Sequence, residues 1–237
     1  MIEYGTDINN VNEIGETPLF NACSSGNEIV VKYLVELGAD INKKRFNGKT
    51  PLFNACSSGN EIIVKYLVEH GADINNKRRN GETPLFNACK SGNKVVVQYL
   101  VELGANINKT NEDDETPLFI SYRNGNETIV KYLVEKGANI NKANENGETP
   151  LFISCRNGNE AIVKYLVKKG ANIDKGNKDD ETPLFILCKN GYEAIVRYLI
   201  EKRVDINKNM DSKSLLYYAR KREKQNIVQY LFEHNAV

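Results

Sequence analysis

Apolar residues return along this chain in a fixed frame. In the stretch from Asn80 to Asn108, Thr83-Pro84 is followed by Leu85, Phe86 and Ala88 at helical spacing, then a Ser91-Gly92 break. Val95, Val96, Tyr99 and Leu100 follow as a second helical stripe, closed by Gly104 and a polar segment. The opening Thr-Pro-Leu-Phe tetrad begins at Thr17, Thr50, Thr83, Thr116, Thr149 and Thr182, always 33 residues apart, and weakens to Ser214-Leu215-Leu216-Tyr217. A constant period of this length marks an array of repeated supersecondary units.

Each unit predicts helix, tight turn, helix and hairpin-like loop. Thr83 is expected to accept a hydrogen bond from a free amide at the helix start, and Pro84 suits a first-turn site where a missing N–H is harmless. Ser91-Gly92 stops this helix, and Asn93 caps the next, a role extended to Asn27, Asn60, Asn126 and Asn159. The pairs Asn47-Gly48, Asn80-Gly81 and Asn146-Gly147 supply the positive φ of a tight turn. Repeats four and six carry Asp113-Asp114 and Asp179-Asp180 there, which predicts a small cost or a different turn. One unit buries too little apolar surface to offset its ordering entropy, so neighbours must stack, each touching the next.

The sequence Gly-Glu-Thr-Pro-Leu-Phe-x-Ala in the first helix, Ile129 to Val134 in the second, and Gly-Ala-Asp-Ile-Asn after it resemble the ankyrin repeat family over nearly the whole chain. The resemblance implies an all-α solenoid of stacked helix-turn-helix repeats. It also implies that loop tips and first helices line a concave groove, where variable columns contact partner proteins. One departure is consistent: Phe20, Phe53, Phe86, Phe119, Phe152 and Phe185 stand where the family usually has His, which raises the question of how the loop is braced.

Seven units give one expected domain over residues 1–237. An N-terminal stub covers 1–16, repeats start near Asn12, Arg45, Arg78, Asn111, Asn144 and Asn177, and a capping repeat covers 208–237. The stub matches the end of a repeat, and repeat one carries an interior-type sequence. The array is therefore expected to be excised from a longer one, built by duplication, or covered on its N-terminal face. Repeats one to three share Asn21, Asn54 and Asn87, which become Ile120, Ile153 and Ile186 in repeats four to six. The run from Arg220 to Gln225 reads as the charged end of the last first helix.

Composition narrows the function. A net charge of +1 gives no bulk attraction to nucleic acid or membrane, and no apolar run approaches the roughly 20 residues that span a bilayer. The polar N-terminus lacks a secretion signal, so an intracellular, cytoplasmic protein is expected. Cys23, Cys56, Cys89, Cys155 and Cys188 share one repeat position, with Tyr122 in the missing rung. Their expected layer spacing of about 8 to 10 Å is too wide for disulfides, so they read as buried packing residues. His70 and His234 read as surface residues at helix C-termini. No catalytic constellation, metal motif or cofactor-binding motif is found, and no enzyme or cofactor is expected.

What remains is surface. The variable columns are Phe46, Arg79, Glu112, Glu145 and Lys178 on the tips, and Lys90, Arg123, Arg156 and Lys189 on the first helices, extended to Lys221. The helix column is either a solvated charged face or a ladder that steers an acidic, extended partner segment across repeats three to six. The leading function is a non-catalytic protein–protein interaction scaffold, with no nucleic acid or membrane partner and an oligomeric state left open. The alternative is an engineered or duplicated structural array without a physiological ligand.

Overall fold

In the computed structural model, residues 7–208, 215–221 and 224–234 are described. They form fourteen helices and no strand. The chain divides into two compact units, Met1–Glu112 and Asp113–Val237.

The first unit holds three helix pairs: α1 (Pro18–Ser25) with α2 (Glu28–Glu36), α3 (Pro51–Ser58) with α4 (Glu61–Glu69), and α5 (Pro84–Ser91) with α6 (Lys94–Glu102). First helices pack in the order α1–α3–α5 and second helices in the order α2–α4–α6. The second unit repeats the scheme with α7 (Pro117–Arg123), α9 (Pro150–Arg156), α11 (Pro183–Asn190) and α13 (Leu215–Lys221) in one layer. Its other layer is α8 (Glu127–Glu135), α10 (Glu160–Lys168), α12 (Glu193–Glu201) and α14 (Gln225–Glu233).

The core is the repeated apolar frame. Leu19, Leu52, Leu85, Leu118, Leu151 and Leu184 are wholly buried, as are Phe20, Phe53 and Phe86, and each contributes about 1.5–3 kcal/mol of transfer free energy. The phenylalanine that departs from the family pattern is thus a core residue. All five cysteines are buried and free, and burial pushes the Cys23 and Cys188 thiols up to about 12. Tyr122 occupies the same layer with its hydroxyl buried and unpartnered.

Helix starts differ from expectation in one respect. Thr116, Thr149 and Thr182 accept from the amide three residues on, whereas Thr17, Thr50 and Thr83 make no such bond. All six share one extended backbone geometry. Asn27, Asn60, Asn93 and Asn159 cap the second helices as expected, while Asn126 does not accept from the first amides of α8.

Three polar seams join neighbours. The Asn60 and Asn93 amides also donate to Gly26 O and Gly59 O of the preceding repeat, at 3.4 and 2.7 Å. The asparagine ending Gly-Ala-Asx-Ile-Asn clamps the next repeat: Asn42 accepts from Asp73 N at 2.9 Å and donates to Gly71 O at 2.9 Å. On the second helices, Lys32 and Lys65 lie over the Tyr66 and Tyr99 rings of the next repeat, and Lys131 and Lys164 over Tyr165 and Tyr198. Such contacts are worth about 0.5–1 kcal/mol each at exposed sites.

The ends depart from the interior. Val30 is 40% exposed where its counterparts Ile63 and Val96 are 1% and 0%, and Ile29, Tyr33 and Leu37 are exposed beside it. No helix among the described residues covers that side of α2; Ile8 and Val11 line an open groove there with Val30 and Tyr33. At the other end, Arg220 and Lys221 belong to α13 and Gln225 already belongs to α14, so the charged run reaches two helices. Gly5, Thr6, the shortened loop before Ser214, Arg222 and Glu223 lie outside the described residues.

Candidate protein-binding surface

Each loop tip is a tight turn with a set geometry. Gly48 N donates to Arg45 O at 2.8 Å and Arg45 N to Lys49 O at 3.0 Å, which leaves Phe46 and Asn47 at the apex. Gly48, Gly81 and Gly147 take φ of 82, 81 and 77°, a left-handed conformation that costs glycine nothing. Asp114 and Asp180 adopt the same conformation at 59 and 57°, so the predicted aspartate tips keep the left-handed turn at a small strain cost.

The tips are bonded to one another within each unit. Arg79 N donates to Asn47 O at 2.8 Å and Glu112 N to Asn80 O at 2.9 Å. In the second unit, Glu145 N donates to Asp113 O and Lys178 N to Asn146 O, both at 2.9 Å. The main chains of Arg79, Glu112, Glu145 and Lys178 are therefore tied to the preceding tip. The side chains of Phe46, Arg79, Glu112, Glu145 and Lys178 are all exposed, Phe46 by 64%.

The first-helix column is a set of ion pairs. Lys90 reaches Glu82 at 3.0 Å, Arg123 reaches Glu115 at 2.8 Å, Lys189 reaches Glu181 at 3.2 Å, and Arg156 is bonded to Glu148. Each glutamate is the residue before Thr-Pro in its own repeat, and Glu82, Glu115 and Glu148 are buried. This pair ties loop to first helix and answers how the loop is braced without histidine. A second brace is the loop asparagine: Asn144 accepts from Asn146 N and Glu148 N at 3.0 and 2.9 Å and donates to the Glu148 carboxylate at 2.9 Å. Each paired cation in the column thus carries a carboxylate beside it. Lys221 is exposed on α13.

The asparagine-to-isoleucine switch has a matching cause. Asn54 and Asn87 donate to Ser24 Oγ and Ser57 Oγ of the preceding first helix, at 2.8 and 2.7 Å. In the second unit the serine position holds Arg123 or Arg156, bound to glutamate, and Ile153 and Ile186 fill the following rung as buried apolar residues. The sequence showed the switch but not its partner, because serine and asparagine sit 30 positions apart.

Electrostatics single out repeat two. Burial would raise the Glu82 carboxyl, but hydrogen bonds from Lys90 and Arg78 outweigh it and hold it below the usual range. At the same place in the preceding repeat stands Lys49. Burial, then the guanidinium groups of Arg78 and Arg45, pull its ammonium below the ordinary lysine value. His70 and His234 are exposed at helix C-termini, with Nδ1 2.7 and 2.9 Å from Tyr66 O and Tyr230 O.

Comparison with known proteins agrees with this architecture. No curated protein sequence matches the chain. A crystal structure of the human ASB11 ankyrin repeat domain is similar, with 28% identity, a TM-score of 0.82, and coverage of 93% of this chain and 98% of that one. The family model described as Ankyrin repeats (3 copies) matches residues 1–78, 37–111, 71–144, 103–177, 139–210 and 172–237, so this all-α repeat protein belongs to the ankyrin repeat family.

Proposed function

We propose that this protein is a non-catalytic scaffold that binds another protein through its loop tips and first helices. Ankyrin repeats generally mediate protein–protein interaction. The observation that carries the reading here is the tip arrangement: exposed, non-identical side chains stand on main chains bonded to neighbouring tips, so recognition groups are held in place before binding. The contact surface comprises Phe46, Arg79, Glu112, Glu145 and Lys178 on the tips, with Lys90, Arg123, Arg156, Lys189 and Lys221 on the first helices. An ordinary interface of roughly 800 Å² per partner covers several repeats. An acidic, extended partner segment suits the basic part of this surface, the tips carrying Lys44, Arg45, Lys77, Arg78 and Arg79.

Photo-cross-linking tests the reading. A reactive residue placed at position 46, 79, 145 or 178 is expected to capture one recurrent protein from the native host. The same residue at Glu36 or Lys168, exposed on the second helices, is expected to capture far less of it. Equal or greater capture at the second-helix positions would reject the surface.

A further inference from the structure

The residue before Thr-Pro is glutamate in five of six repeats: Glu16, Glu82, Glu115, Glu148 and Glu181. In repeat two it is Lys49, and the first-helix cation that normally answers the glutamate is Ser57. The exchange removes a carboxylate and adds an ammonium in the same small volume. Arg45 is left to bond Glu16 of the preceding repeat, while Arg78 stays on Glu82, which also serves Lys90.

Charge around Lys49 does not balance. Arg45, Arg78 and Lys90 all act on it, and Glu82 is the opposing carboxylate. Lys49 itself has no ion pair among the described residues, and its side chain is only partly exposed. The Nε groups of both Arg45 and Arg78 are buried without an acceptor, a second sign that this place holds more donors than the chain can satisfy. Beside this place, and sharing Arg78 with it, a cavity of about 470 Å³ runs over three successive tips and is lined by Lys44, Lys77, Arg78, Arg79 and Glu112. Phe46 is exposed on the same tip as Lys44 and Arg45.

We propose that Lys49 and its flanking arginines form an anion seat for a carboxylate side chain in an acidic segment of a partner protein. The partner then supplies the negative charge that glutamate supplies internally in the other repeats. This deepens the scaffold reading above and rests on it. A single carboxylate fits better than a continuous polyanion: Glu16 and Glu82 are paired to the flanking arginines, and Glu112 lines the adjoining cavity, so repeating phosphates would meet like charge. A charge-assisted pair in this partly dehydrated place is stronger than one in open water.

The test uses the full chain and a labelled acidic peptide, titrated by fluorescence anisotropy at low salt. Wild type is expected to bind saturably, and more weakly as salt rises. Lys49→Glu is expected to lower affinity at least about tenfold, since it sets a like charge where the peptide carboxylate would sit. Because glutamate is the brace residue of the other repeats, this variant is expected to keep or raise the thermal midpoint, which separates lost binding from lost folding. Lys168→Glu, on the opposite layer, is expected to leave affinity unchanged. Absence of saturable peptide binding by wild type, a change under twofold in Lys49→Glu, or tighter binding of single-stranded RNA or inorganic phosphate than of the peptide would each overturn the seat. If those results came with continued cross-linking at the tips, the scaffold reading would stand while the seat fell.

Discussion

Single residues show where the repeated frame is locally unsatisfied. Tyr122 fills a layer that cysteine occupies elsewhere, and its hydroxyl lies buried without a partner. Burial drives the phenol well above its ordinary pKa, so it stays neutral and contributes only a desolvation cost. Tyr122→Phe keeps the ring and removes that cost; it is expected to stabilise the fold by about 1 kcal/mol, measured as a higher urea midpoint with an unchanged slope. The sequence placed Tyr122 on the buried rung but could not show that its oxygen lacks an acceptor. Likewise the cation column was legible from its period, whereas its pairing with Glu82, Glu115, Glu148 and Glu181 was not. Those partners lie eight residues away, just before the start of the helix that carries the cation and so outside its register. Lys49 was hidden for the opposite reason: a single change in one column reads as noise until its neighbours are known.

At the scale of the element, helix positions follow directly from Thr-Pro, Asn and Gly punctuation, and all six Thr-Pro helices begin where the proline predicts. Dihedral chemistry was legible at the glycines, and one substitution tests it. The residue two beyond the end of α2, α4, α6, α8 and α10 is Gly38, Gly71, Gly104, Gly137 and Gly170, all at positive φ; after α12 it is Arg203, held at 63°. A Cβ at those five glycines would meet nothing within 4 Å, so the cost of arginine there is backbone strain rather than crowding. Left-handed geometry costs a side-chain-bearing residue about 1–2 kcal/mol, partly offset by its lower unfolded-state entropy. Arg203→Gly is accordingly expected to stabilise the end of α12 by about 0.5–1 kcal/mol, seen as slower hydrogen exchange of the Val204 amide, which donates to Leu199 O. The asparagine clamps after the second helices escaped sequence reading because capping already accounted for the abundance of asparagine.

For the whole molecule, the period was enough to give the all-α repeat architecture, since one repeat cannot stand alone. What it left open was how strongly neighbours are joined. Asn93 measures this, because its oxygen caps α6 while its amide holds Gly59 O of the preceding repeat. Asn93→Ala loses both bonds and is expected to cost about 2 kcal/mol. If coupling passes only between adjacent layers, hydrogen exchange should accelerate in α4 to α6 and stay unchanged in α12 and α14. Uniform acceleration throughout would show a single cooperative block instead.

The hydrogen bonds between successive tips carry a rule for how such a protein can change. Position two of a tight turn ordinarily welcomes proline, but at 79, 112, 145 and 178 the amide hydrogen is already engaged by the turn before. A change of side chain there leaves that bond in place, whereas proline would remove its donor. New specificities can thus be written letter by letter onto an unchanged line, with one forbidden character.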